Sequence, residues 1–160
     1  MDFRILGPLE VCEGTHALPL GGAKQRALLA ILLVHANEVV SVERLLDDLW
    51  GERQPTSGAK ALHVYVSQLR KVIGEDRVVT QAPGYALRLD PDELDVTRFQ
   101  RLREQAEAVE PHEARAILGE ALSLWNGPAL AEFAYENFAQ AEIARLDELR
   151  TSALEQRIEA

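Results

Sequence analysis

The stretch AKALHVYVSQLRKVI, Ala59 to Ile73, decides the reading of this chain. At helical spacing Leu62, Val66, Leu69 and Ile73 fall on one side, and Lys60, His63, Val64, Ser67, Gln68 and Lys71 on the other. The polar side carries positive charge and no acid, in a chain of 160 residues whose formal net charge is -9. Such a face suits a polyanion. Lys60, Arg70 and Lys71 are candidates to neutralise phosphates, Ser67 and Gln68 to hydrogen-bond base edges, and Val64 to touch a thymine methyl. A solvated surface helix would carry the same charges, so the neighbouring segments have to decide.

Upstream, AKQRALLAILLVHAN (Ala23 to Asn37) is apolar nearly all round and predicts a central, buried helix. SVERLLDDLWG follows, with Ser41 as N-cap, Val42, Leu45, Leu46, Leu49 and Trp50 on one stripe, and Gly51 as the stop. Downstream, RVVTQAPGYALRL alternates into two short strands around Ala82-Pro83-Gly84, a hairpin. Three helices followed by a hairpin make a winged helix-turn-helix. The opening FRILGPLEVCEGTHALPLGG reads as further strands, expected to lie over the apolar side of the Ala23–Asn37 helix.

These blocks resemble a known family. Phe3 to Leu89 is similar to the OmpR-type winged-helix domain, in the variant of the Streptomyces antibiotic regulatory proteins, where that domain stands first. The resemblance is carried by FRILGPLEV, AKQRALLAILLVHANEVVSVERLLDDLWG, LHVYVSQLRKVIG and APGYAL. From Asp95 the chain resembles the bacterial transcriptional activation domain that follows in this family, most clearly at ALSLWNGPALAEF, Ala121 to Phe133. The expected fold is therefore an α+β winged helix-turn-helix over residues 1–92, then an all-α, tetratricopeptide-like helical domain over 93–160. The implied function is a sequence-specific transcriptional activator of an antibiotic gene cluster. It would bind direct repeats in double-stranded DNA as a side-by-side homodimer and recruit RNA polymerase holoenzyme through its sigma factor and alpha subunit. A helical protein-interaction or sensor module, whose winged helix contacts protein, is the competing reading.

The resemblance also implies site residues. Lys60, His63, Val64, Ser67, Gln68 and Lys71 become the groove-facing positions, with Arg70 beside them. Gln68 stands where the family often has a basic residue. Gln81 occupies the wing tip, where response-regulator relatives place an arginine, with Arg77 and Arg88 as nearby cations. Arg26 is a further candidate phosphate contact. The loop after the second helix is the segment OmpR-type activators use against RNA polymerase, which makes Trp50, Glu52, Arg53, Gln54 and Thr56 candidate polymerase contacts. Its plainer reading is a connector, with Pro55 ending one helix and Ser57 capping the next.

Charge is unevenly distributed. Through Asp92 there are 10 Lys and Arg against 12 Asp and Glu; beyond it, 7 against 14. Acidity thus belongs to the second half, and a docking face responds to charges within a Debye length of ~8 to 10 Å, so the first half can bind DNA despite the overall balance. The two halves should meet at LDPDELD, a polar linker, with Asp95 as N-cap of the next helix. DVTRFQRLREQAEAV and HEARAILGEALSLW, the second opened by Pro111, should form an antiparallel helical hairpin. A third helix is expected from about Glu136 onward, with Ile143, Leu146, Leu149, Ala153, Leu154 and Ile158 on a broad arc. The chain ends in this helix without a stop signal, which reads as a fragment of a longer protein.

Nothing in the sequence suggests catalysis. His16, His35, His63 and His112 are scattered and form no metal-binding spacing, and no glycine-rich phosphate loop or nucleophile elbow occurs. No cofactor or metal is expected, and the chain is read as a non-enzyme. Cys12, in a strand pattern, reads as an inert thiol. No apolar run approaches the roughly 20 residues needed to cross a membrane, and no signal peptide is apparent, which reads as a cytoplasmic, nucleoid-associated protein.

Overall fold

The computed structural model describes residues 1–160 and divides them into two compact units. One is Thr15–Leu89; the other joins Met1–Gly14 to Asp90–Ala160. The strands are β1 (Asp2–Arg4), β2 (Glu10–Glu13), β3 (His16–Ala17), β4 (Val40–Ser41), β5 (Val78–Gln81) and β6 (Gly84–Leu87). The helices are α1 (Ala23–Val34), α2 (Val42–Trp50), α3 (Gly58–Ile73), α4 (Asp95–Glu107), α5 (Pro111–Leu122) and α6 (Gln140–Glu159).

The Thr15–Leu89 unit is a winged helix. Its centre is α1, where the unbroken run Leu28–Leu33 is buried, as a helix apolar on every side demands. Helices α2 and α3 pack against α1 and each other. Ser41 caps α2, its hydroxyl accepting from the Arg44 amide at 3.1 Å, and Gly51 ends the helix at φ +60°. Leu62, Val66, Leu69 and Ile73 of α3 are all buried. Each contributes about 1.5–3 kcal/mol by the usual transfer scale, so apolar spacing rather than intrinsic propensity holds this helix. Ser57 does not cap it through its side chain, contrary to expectation; it sits at φ -94°, ψ 20° instead of the extended geometry a side-chain cap needs.

The hairpin β5–β6 pairs Val78 with Leu87 and Gln81 with Gly84, and the bond between Ala82 and Pro83 is cis. A third strand joins it. Unforeseen from the sequence, β4 pairs along the other edge of β6, Val40 opposite Tyr85 and Ser41 opposite Gly84. A Cβ on Gly84 would lie 1.9 Å from the Val40 carbonyl oxygen, so this glycine answers a close strand approach as much as a turn. Asn37, at φ +66°, fastens the end of the hairpin. Its backbone amide donates to the Leu87 carbonyl at 2.8 Å, its Oδ1 accepts from the Leu89 amide at 2.9 Å and its Nδ2 donates to the Leu89 carbonyl at 3.1 Å. Asn is among the few residue types that tolerate this backbone region.

The second unit corrects two expectations. The first strands do not belong with the winged helix as the boundary at residue 92 required; Met1–Gly14, with the antiparallel pair β1–β2, is part of the helical unit. Phe3 bridges to Leu94, the Asn126 amide donates to the Leu6 carbonyl at 2.7 Å, and the Leu130 amide to the Ile5 carbonyl at 2.9 Å. Asp95, expected to cap α4, is the first residue inside it, with Leu94 in the cap position. Its carboxylate accepts from the Ile5 amide at 3.1 and 3.0 Å and from the Leu6 amide at 2.9 Å. Two amides beyond β1, with no strand partner, thus find their acceptor some ninety residues away in sequence.

LDPDELD is ordered rather than a loose linker: Pro91–Glu93 forms a 3-10 turn in which the Asp90 amide donates to the Glu93 carboxylate at 3.0 Å. Helices α4 and α5 pack as the expected hairpin, α5 opening with Pro111 at its first position, and α6 packs on α5. Phe99 and Trp125 meet edge to face at 5.7 Å, and Arg150 covers the Trp125 ring at 4.8 Å. α6 begins at Gln140, later than expected, because residues 137–139 form a separate 3-10 turn. On α6 Leu146 and Ala153 are buried, whereas Ile158 is 83% exposed. Cys12 is 5% exposed and burial pushes its thiol pKa up, the environment of an unreactive cysteine.

Candidate nucleic-acid interface

All six residues assigned to the outer face of α3, namely Lys60, His63, Val64, Ser67, Gln68 and Lys71, are exposed in the structure. Val64 is 49% exposed, an apolar side chain left in water among polar neighbours. No acid lies anywhere on α3, while Arg70 and Lys71 stand in its last turn, where cations complement the helix dipole. The face therefore combines two exposed lysines, two uncharged hydrogen-bonding side chains and a methyl-bearing one. Those are the groups that phosphate anchoring and base-edge readout require.

Arg70 is placed differently from the other cations. It is half-buried and turned to the wing, where Nε and Nη2 donate to the Val78 carbonyl at 2.9 and 2.7 Å, and Nη2 also donates to Thr80 Oγ1 at 2.9 Å. Arg88 is likewise engaged, donating to the Asn37 carbonyl at 3.1 Å and to Gln81 Oε1 at 3.0 Å. Gln81, at the wing tip, is exposed. Arg26, on the first turns of α1, is half-buried.

The loop between α2 and α3 separates into two kinds of residue. Glu52, Arg53, Gln54 and Thr56 are all exposed. Gln54 folds back, its Nε2 donating to Asp47 Oδ1 at 2.8 Å. Trp50 is a packing residue: it stacks on Tyr65 of α3 at 6.2 Å, while the Lys24 ammonium sits 5.4 Å from its ring centre and reaches the Leu49 carbonyl. The part played by Tyr65 was not visible in the sequence, since its position between the buried and exposed stripes of α3 gives no signal of a partner on α2. Asn37 was missed for a related reason, because it looked like the fading end of a helix.

Comparison with known proteins places both units. Residues 19–87 match the family model "Transcriptional regulatory protein, C terminal", and residues 94–160 match "Bacterial transcriptional activator domain". The chain is 35% identical to the regulatory protein AfsR of Streptomyces griseus and 35% identical to the regulatory protein DnrI of Streptomyces peucetius, in both cases over 99% of this chain. The chain thus carries these two regulatory domains in this order and is similar over nearly all its length to Streptomyces regulatory proteins. Both matched models are named for transcriptional regulation, and the relatives are named as regulatory proteins. The chain spans 17% of AfsR and 64% of DnrI. A solved structure of Mycobacterium tuberculosis EmbR, in complex with a low-affinity phosphopeptide, superposes with a TM-score of 0.88 at 31% identity, covering 95% of this chain and 43% of that one. No helix is long and apolar enough to cross a membrane.

Proposed function

We propose that this regulator is a sequence-specific DNA-binding activator that inserts α3 in the major groove and recruits RNA polymerase. The observation that carries the reading is the acid-free, exposed α3 face beside an ordered wing, in a chain that is otherwise acidic. Lys60 and Lys71 anchor to phosphates, Ser67 and Gln68 read base edges, Val64 meets a thymine methyl, and His63 lies between them. The wing tip, Gln81 to Pro83, lies along the backbone or minor groove with Arg88 at its side. Two copies bind side by side on direct repeats upstream of a biosynthetic, antibiotic-type promoter. The helical unit supports a tetratricopeptide-like array, since α4, α5 and α6 pack in succession.

The test is binding as a function of salt, with a footprint on the promoter nearest the coding region. Log affinity should fall with log salt at about -0.9 per phosphate neutralised, and protection should repeat once per half-site. A chain that binds no DNA at any salt would instead be a protein-interaction module, and the reading would fail.

Recruitment is assigned to the exposed loop residues Glu52, Arg53 and Thr56 and the holoenzyme's sigma factor and alpha subunit. Replacing Glu52 and Arg53 together by alanine should change folding stability by no more than ~0.5 kcal/mol, as surface substitutions do, and leave operator affinity intact. Transcription in vitro from the bound promoter should nevertheless fall severalfold, because a contact of ~1 kcal/mol changes occupancy about fivefold. Unchanged transcription would move the activating surface off this loop.

A further inference from the structure

Arg70 touches both strands of the wing from the recognition helix. Besides its bonds to Val78 and Thr80 on β5, its guanidinium lies 6.0 Å from the ring centre of Tyr85 on β6. The carbonyl it grips is an outward one. In the order β4-β6-β5, β5 is an edge strand, and the Arg88 amide already bonds the preceding carbonyl, that of Arg77, at 2.7 Å. Carbonyls alternate along a strand, so the Val78 carbonyl points away from β6 and has no ladder partner. Two nitrogens of a planar fork converge on it while one of them also holds the Thr80 hydroxyl, a geometry that an ammonium on a flexible stem does not reproduce. Between α3 and β5 the chain runs through residues 74–77 with no helix or strand, starting at Gly74 with φ +109°. Such a connection fixes no angle by itself.

We propose that Arg70 is a positioning residue that sets the pitch of the wing against α3, and so the spacing along the duplex between the α3 contact and the wing contact. This rests on the DNA-binding reading above, but the clamp itself is a property of the free protein. It also separates Arg70 from Lys60 and Lys71, with which its charge would group it.

The decisive variant is Arg70→Lys, which keeps the charge and loses the fork. In the free protein, amide hydrogen exchange at Val79 and Gln81, whose amides face β6, should accelerate about tenfold or more, while the Leu28–Leu33 amides of α1 stay protected. On operator DNA, hydroxyl-radical protection from the wing should weaken or shift while protection from α3 persists. Thr80→Val, which removes one bond of the set, should move the same readouts in the same direction by less, and carries the test if the lysine variant does not fold. Wild-type exchange and an unmoved footprint in Arg70→Lys would overturn the proposal. So would a salt slope that falls by about 1 in Arg70→Ala with an intact wing footprint, the mark of a phosphate contact. If the wild-type protein bound no DNA, the functional reading would fail and the exchange measurement would still decide whether the clamp exists.

Discussion

Replacing Asp95 by alanine should cost the helical unit about 3 kcal/mol or more, the largest loss expected from any single polar substitution in this chain. The carboxyl is 2% exposed and is the acceptor for the Ile5 and Leu6 amides. Alanine leaves both amides buried and unpaired, at roughly 1–3 kcal/mol each, and frees the strand segment that carries Phe3, Ile5 and Leu6 from α4. Asp95→Asn should be milder because it keeps one acceptor oxygen. The measurement is urea unfolding in a Trp50→Phe background, where Trp125 is left as the sole tryptophan and reports on the helical unit. An alanine variant within ~0.5 kcal/mol of wild type would mean that this junction contributes nothing to the unit.

The same group makes stability depend on pH. Burial pushes the Asp95 pKa from its ordinary 3.8 up to about 6, against the opposing pull of the Leu6 and Ile5 amides and of Arg98. Its folded pKa lies above its unfolded value, so the folded form takes up a proton that the unfolded chain lacks across that interval. The resulting stabilisation is complete below about pH 3.8, is lost as pH rises through about 6, and is absent above it. Carboxyl-carbon NMR should find the Asp95 midpoint near 6. A midpoint near 4 would show that the two amides and Arg98 together outweigh burial.

Asp95 also shows where sequence reasoning stops. An Asp before an apolar-periodic run is a good N-cap signal, and position and helix were both legible to within a residue. What the carboxylate actually bonds was not, because its donors lie some ninety residues away and local pattern carries no information on such a pairing. The misplacement of the first strands has the same origin. Period-two alternation identifies Phe3, Ile5 and Val11 as strand residues, yet says nothing about which helix they cover. By contrast α1, α2, α3 and the hairpin were legible because each is specified by its own spacing and stop residues. The two-residue strand β4 is too short to have a period.

The candidate site divides along the same line. Exposure of Lys60, His63, Val64, Ser67, Gln68 and Lys71 follows from helical geometry alone once Leu62, Val66, Leu69 and Ile73 are inside. The roles of Arg70, Arg88 and Trp50 do not, because each depends on a second element: the wing for the two arginines, and Tyr65 with Lys24 for the tryptophan. Charge is read directly from sequence, but its availability to a ligand is a tertiary property.

That availability is what the groove-face variants measure. Lys60→Ala and Lys71→Ala should weaken binding to every DNA sequence and lower the salt slope by about 1 each, since each removes one exposed cation with no structural partner to lose. Ser67→Ala and Gln68→Ala should leave the slope alone and reduce affinity for the operator more than for random DNA, by about 1–3 kcal/mol if the contact to the base is bidentate. The neutral amide of Gln68 pairs best with adenine, so the loss should concentrate at one base pair of each half-site. Binding series on operator and scrambled duplexes at several salt concentrations separate these effects. If all four variants lost equal affinity on both duplexes, the division between phosphate anchors and base readers would be wrong. If none changed, α3 would not lie in the groove, and the acid-free face would have to be explained by some other polyanion.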